Sequence, residues 1–165
     1  MNRAFLSLGS NLGDRFAYLR AAVPALGQAP RTTLVDASMI YETAPVEVVG
    51  DQPDYLNCVL EVRCGLPAVE LLRYCQGVET ALGREHKGEK APRTVDIDVL
   101  LYGGGVFERP DLVGPHRGVT RAFNLVGLAD LDPGLYIPGR GAVGELLAEA
   151  DRGGIRTFGR AEELC

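Results

Sequence analysis

Histidine is scarce in this chain, with two residues, and cysteine is sparse, with four. His86 and His116 stand in separate stretches with no second histidine at metal-ligand spacing, which leaves a histidine-built zinc centre without support. Cys58, Cys64, Cys75 and Cys165 form no C-x-x-C pair, so they read as reduced filler side chains rather than a redox or zinc framework. No serine or cysteine has the flanking histidine and acid that covalent catalysis needs. A basic surplus is also missing. The chain carries 17 Lys and Arg against 22 Asp and Glu, a net charge of -5, which argues against nucleic acid or a bilayer surface as a general partner. No apolar run approaches the roughly 20 residues needed to span a membrane. Met1-Asn2-Arg3 leads straight into a strand pattern without the apolar core of a leader peptide, so the expected address is the cytoplasm. With 46% hydrophobic and 24% charged residues over 165 positions, one globular domain is expected over 1–165, with 139–165 a glycine-rich tail carrying a short helix.

The patterning is regular. Arg3 to Gly9 alternates and predicts a strand, with Ala4, Leu6 and Leu8 on one face. Leu12, Phe16, Leu19, Val23 and Leu26 form a helical stripe that Asn11 or Asp14 could cap and that Gly27 ends. Thr32 to Tyr41 predicts a strand, and Glu47 to Pro53 a turn-rich, mobile segment. Tyr55 to Arg63 alternates again and sets Tyr55 and Asn57 on a common face. A second helix runs from Pro67 to Gly83, with Gln76 and Glu79 on one side, followed by a charged loop over Arg84 to Lys90. The order βαββαβ predicts an α+β ferredoxin-like sandwich: an antiparallel sheet with two helices on one face.

Within the strand that follows, Asp96 and Asp98 are the anomaly. Residues i and i+2 share a strand face with Cα atoms roughly 6.5 Å apart, so two carboxylates repel one another unless a cation or several donors compensate. A salt-bridged or solvent-facing pair is one solution. The other is Mg²⁺, which takes carboxylates and completes its shell with water and substrate phosphate, and Arg93 just upstream supplies a phosphate handle. Gly9-Ser10-Asn11-Leu12-Gly13 follows a strand and opens a helix, but it lacks the phosphate-loop patterns and a tight turn explains its glycines. His116 stands five residues before Arg121, a spacing that suits a polar clamp for phosphate oxygens. Thr43, Tyr55, Asn57 and Phe123 read either as core and turn residues or as a pocket in which two rings sandwich a planar ligand while Asn57 reads its edge.

Five ordered segments carry a resemblance. They are Leu8-Gly9-Ser10-Asn11-Leu12-Gly13, Tyr41-Glu42-Thr43, Asp51-Gln52-Pro53-Asp54-Tyr55-Leu56-Asn57, Pro92-Arg93-Thr94-Val95-Asp96-Ile97-Asp98, and Pro115-His116 with Arg121 and Phe123. Over about residues 3 to 138 the chain resembles the 6-hydroxymethyl-7,8-dihydropterin pyrophosphokinase family of folate biosynthesis. The resemblance implies the same ferredoxin-like fold. It also implies transfer of the β,γ-diphosphate of ATP to the hydroxymethyl group of the pterin, releasing AMP, with two Mg²⁺ ions on Asp96 and Asp98. By the same resemblance Gln76, Glu79, Arg84, Arg93, His116 and Arg121 line the ATP site, and Gly9, Thr43, Ala44, Val46, Tyr55, Asn57 and Phe123 line the pterin pocket. Arg84 and Arg93 then act with the two aspartates as the catalytic set, stabilising the transferring group. A monomer acting on small molecules is expected. Three rivals use the same residues: a Mg²⁺-dependent nuclease or phosphohydrolase, a kinase moving only the γ-phosphate, and a binding module without turnover.

Overall fold

The computed structural model describes residues 1–45, 51–83, 94–160 and Leu164. Residues 47–50 of the predicted loop over Glu47–Pro53, the predicted loop over Arg84–Lys90, and the site residues Val46, Arg84 and Arg93 lie outside the described residues.

Alternation along Asn2–Ser10 (β1) sends Ala4, Leu6 and Leu8 into one apolar cluster and Phe5 into another. A strand buried on both faces belongs in the middle of a sheet, and β1 pairs antiparallel on both sides, with Tyr55–Cys64 (β4) and Asp96–Tyr102 (β5). Helix α1 spans Arg15–Gly27, and the Asp14 carboxylate accepts from the Ala17 N–H at 3.1 Å. Asp14, not Asn11, is thus the cap, and Leu12 falls outside the helix at 44% exposed. The predicted strand over Thr32 to Tyr41 is broken into Thr32–Ala37 (β2) and Ile40–Thr43 (β3), both paired with β4. At the break the Ser38 hydroxyl accepts from the Val59 N–H at 2.9 Å while the Ser38 N–H donates to the Val59 carbonyl at 2.8 Å. One side chain thereby takes the place of a backbone partner. Helix α2, Ala68–Ala81, starts just after Pro67 and buries Leu71, Cys75 and Val78. With α1 it covers the face of the sheet that Leu6, Leu60 and Ile97 present.

The sheet runs β3-β4-β1-β5 with antiparallel pairing throughout, as the ferredoxin-like expectation required of its pairing, and a late strand, Arg156–Gly159 (β10), adds to its edge beside β3. Between β5 and β10 the chain forms the hairpin Phe107–Arg109 (β6) and Leu112–Gly114 (β7), helix α3 (Ala122–Leu131), the short pair Tyr136–Ile137 (β8) and Gly141–Ala142 (β9), and helix α4 (Val143–Glu149). The expectation of helices on one face is therefore met by α1 and α2 and extended by α3 and α4, whose Leu125, Leu128 and Val143 join Phe5, Val59 and Leu101 on the opposite face. Nothing in the spacing of Ala-Phe-Asn-Leu-Val-Gly-Leu-Ala-Asp-Leu marks this helix, because its apolar residues run round the cylinder instead of forming a stripe.

Gly127 of α3 packs directly against Val59 of the sheet. A Cβ there would lie 2.4 Å from Val59 Cγ2 and 3.0 Å from Val59 Cβ. Val59 is β-branched and 1% exposed, so it has little room to yield. Gly127→Ala is expected to cost about 1–3 kcal/mol of stability through overpacking, measurable as a lower urea midpoint with an unchanged slope. An unchanged midpoint would mean that α3 can lift off the sheet freely.

Candidate active site

The register of the central strands builds one functional row. Gly9 lies opposite Asn57 on β4 and opposite Asp96 on β5, while Ser7 lies opposite Val59 and Asp98. Directly opposed residues share a face, so Asp96, Asp98, Gly9, Asn57 and Tyr55 all face the α3 side. The alternation holds through the aspartate pair because the β1–β5 register shifts only further on, between Phe5 and Leu6. That shift makes Leu100 the extra residue of a bulge. Its carbonyl, freed from the ladder, accepts from the His116 N–H at 2.9 Å. The irregularity in β5 thus anchors the segment that brings His116 to the carboxylates.

At the other end of the row the Asn57 amide donates to the Thr43 hydroxyl at 2.5 Å, with both residues buried. Its carboxamide oxygen lies over Gly9: a Cβ on Gly9 would come within 2.7 Å of Asn57 Oδ1 and 3.2 Å of the Tyr55 ring. Only glycine leaves that floor open. Ala44 is exposed at the end of β3. Phe123, in the first turn of α3, immediately precedes Asn124, which accepts from the Ser7 hydroxyl at 2.8 Å. The first turn of α3 is thereby fixed two residues along β1 from Gly9.

The segment entering Tyr55 is held by residues whose role the sequence did not signal. The buried Asn11 amide donates to Gln52 Oε1 at 3.1 Å and to the Pro53 carbonyl at 3.3 Å. Arg15 donates to Glu42 at 2.7 Å and to the Asp54 carbonyl at 2.9 Å, and Arg156 donates to Glu42 at 2.8 Å and to the Asp54 carboxylate at 3.0 Å. The hydrogen bonds from Arg156, then Arg15, hold the Glu42 carboxyl below the usual carboxylate range.

On the β5 side, a cavity of about 300 Å³ is lined by Gln76, Asp98, His116 and Arg117 among the apolar walls Leu72, Val99, Leu112 and Val113. This mixture of an apolar body and a few polar groups suits a small planar ligand with a charged extension. The hairpin β6–β7, which supplies Leu112 and Val113, had a local signal in Phe107–Arg109, Pro110-Asp111 and Leu112–Gly114, a short alternating pair around a turn. Gln76 and Glu79, predicted together, are parted by the fold. Gln76 is exposed on the cavity side of α2, whereas Glu79, 2% exposed, accepts from the Ile97 N–H at 2.8 Å. Ile97 separates the two aspartates, so Glu79 grips from behind the strand segment that presents them.

His116 has a defined tautomer. Its Nδ1 accepts from the Gly118 N–H at 2.9 Å, so in the neutral ring the proton sits on Nε2, 3.6 Å from Asp98 Oδ1. Arg121 joins it around Gly118: a Cβ there would lie 3.3 Å from both Arg121 Nε and His116 Nδ1. The structure therefore gathers Gln76, Asp98, His116 and Arg121 on one side and Gly9, Thr43, Tyr55 and Asn57 on the other, with Asp96 on β5 directly opposite the Gly9 floor. Among the described residues no group of three or more His, Cys, Asp and Glu side chains forms a metal cage. Two carboxylates on one strand face fit an ion that keeps water and substrate oxygens in its shell, the habit of Mg²⁺, better than one needing four protein ligands.

Comparison with known proteins bears on what this arrangement is for. Residues 5–133 match the family model of 7,8-dihydro-6-hydroxymethylpterin-pyrophosphokinase. A 2-amino-4-hydroxy-6-hydroxymethyldihydropteridine pyrophosphokinase of Methylorubrum extorquens is 43% identical over 156 residues, covering 94% of this chain and 98% of the relative. The protein of the same name from Bacillus subtilis is 42% identical over 131 residues, 79% of this chain and 78% of its own length. A solved HPPK-DHPS structure in complex with substrates superposes with a TM-score of 0.68 at 14% identity, over 89% of this chain and 43% of that one, a likeness of fold.

Proposed function

From the premise that this chain belongs to the 7,8-dihydro-6-hydroxymethylpterin-pyrophosphokinase family, we propose how its residues divide the work of that reaction. The reaction moves a diphosphate onto the hydroxymethyl group of 6-hydroxymethyl-7,8-dihydropterin in folate biosynthesis. In our reading ATP is the donor and AMP the by-product. The nucleotide occupies the cavity lined by Gln76 and His116, and the pterin lies over Gly9 against Asn57, Thr43, Tyr55 and Phe123, with Ala44 at its rim and Val46 kept as a pterin contact on the family resemblance alone.

The observation that carries this reading is the row Asp96–Gly9–Asn57 across three adjacent strands. Strands lie about 4.8 Å apart, so a flat bicyclic ring whose edge is read by Asn57 and whose body rests on Gly9 extends its substituent toward Asp96. Asn57 offers a carboxamide oxygen to a ring N–H, and the Thr43 hydroxyl, having accepted from Asn57, still has its own proton to donate. Asp96 and Asp98 would hold two Mg²⁺ ions, which when bound neutralise phosphate charge and make the pterin hydroxyl more acidic. Arg84, Arg93 and Arg121 would grip the phosphates, with His116 donating from Nε2 to a phosphate oxygen. Glu79 acts from behind, fixing Ile97 and so the spacing of the two carboxylates. No covalent intermediate is required. Catalysis of this kind rests on alignment, which a rigid strand supplies, and on charge neutralisation, which the bound cations and the arginines would supply.

The test is product identity. Purified protein given ATP, Mg²⁺ and 6-hydroxymethyl-7,8-dihydropterin is expected to form AMP and pterin diphosphate in equal amounts, dependent on both pterin and metal, as read by chromatography. ADP in place of AMP would replace the proposal with simple γ-phosphate transfer, and nucleotide hydrolysis without pterin would replace it with a phosphohydrolase.

A further inference from the structure

Asn124 is 4% exposed and belongs to neither ligand pocket, yet its amide joins the two. Its Nδ2 donates to the Gly118 carbonyl at 2.8 Å and its Oδ1 accepts from the Ser7 hydroxyl at 2.8 Å. A carbonyl can only accept, so the amide has one satisfying orientation, with Nδ2 toward Gly118. Ser7 lies opposite Asp98 in the sheet and two residues from Gly9. Gly118 is the residue whose N–H sets the His116 tautomer. The Gly118 carbonyl also takes the Arg121 backbone N–H at 3.0 Å, so this one buried residue holds the His116 ring through its N–H and the backbone of Arg121 through its carbonyl. We propose that Asn124 is a positioning residue: it locks the 116–121 turn to β1 so that His116 carries its proton on Nε2 and presents it beside Asp98. The inference rests on the functional reading above for its consequence in turnover, but its structural content stands on the hydrogen-bond chain Ser7–Asn124–Gly118–His116.

A structural role alone would be restored by repacking, and that separates the two. Asn124→Leu removes both amide bonds and strands the Ser7 hydroxyl. The pair Ser7→Ala with Asn124→Leu replaces both partners by apolar groups of similar shape and is expected to recover thermal stability. The decisive readout is the ¹⁵N shifts of the His116 ring at about pH 8.5, well above the ordinary histidine range, with His86→Gln used to assign the two histidines. The native protein is expected to show a protonated Nε2 and an unprotonated Nδ1. The repacked pair is expected to show both nitrogens moved toward the intermediate shifts of mixed tautomers, and its KM for ATP is expected to rise about tenfold with little change in KM for pterin. If the pair does not fold, Asn124→Asp, which keeps the acceptor for Ser7 and sets oxygen against the Gly118 carbonyl, must give the same shifts. Native-like His116 shifts in a folded variant would overturn the proposal. Native enzyme that forms no AMP would overturn the functional reading instead, leaving the tautomer result to judge Asn124 on its own.

Discussion

Asp96→Ala and Asp98→Ala are each expected to lower the rate of AMP formation by about a thousandfold or more, a loss larger than that of a single preorganised donor. The reason lies in the strand. Asp96 and Asp98 share a face of β5, held in register by β1 and from behind by the Glu79 carboxylate on the Ile97 N–H. Two like charges at that spacing are tolerable in the resting protein because both side chains are half-buried and keep access to water. In the proposed reaction they would act only once a divalent cation and phosphate oxygens complete the set. Removing either leaves the remaining carboxylate unable to hold the ion geometry that in-line transfer needs. Pterin affinity is expected to change little, because Asn57 and Thr43 lie across β1 from Asp96 and bond to each other. The measurement pairs turnover at saturating ATP and Mg²⁺ with direct pterin binding. Near-native turnover in either variant, or turnover that survives removal of divalent cations by chelation, would end the metal assignment.

What the sequence reveals and what it hides follow from the range of the interactions concerned. Strand alternation and helical stripes are local, and they suffice for β1, α1, β4, α2 and β5 and for the shared face of Tyr55 with Asn57 and of Asp96 with Asp98. Which face a residue takes is therefore legible, but what stands on that face is not. Helical spacing groups Gln76 with Glu79, yet only the docking of α2 on β5 turns one to the cavity and the other onto the Ile97 N–H. The bulge at Leu100 leaves no mark in composition, since it exists only as a mismatch between two strands. Helix α3 is masked by its own apolarity, and with it the role of Asn124. The ion-pair group of Arg15, Glu42, Asp54 and Arg156 joins residues far apart in the chain, and no short window can show it.

Gly9→Ala is expected to weaken pterin binding by roughly five- to 150-fold, the equivalent of the about 1–3 kcal/mol that overpacking costs. The added methyl would stand 2.7 Å from Asn57 Oδ1 and 3.2 Å from Tyr55 Cδ1. Rotation of the Asn57 side chain would relieve the clash, but the amide is tied to the Thr43 hydroxyl and both residues are buried, so relief breaks that bond. Backbone retreat is equally constrained, because Gly9 is paired on both sides, with Asn57 and with Asp96. Any shift of β1 at this point moves Asp96, its partner on β5, as well as the Gly9 floor. Two outcomes can therefore be told apart. If the methyl only fills the floor, KM for pterin rises while kcat at saturation and the Mg²⁺ requirement stay near native. If β1 yields, kcat falls together with affinity, because Asp96 has moved with it. Native pterin affinity in a folded Gly9→Ala protein would mean that the ring does not rest on this part of the sheet, and the pterin pocket would have to be sought elsewhere on the α3 face.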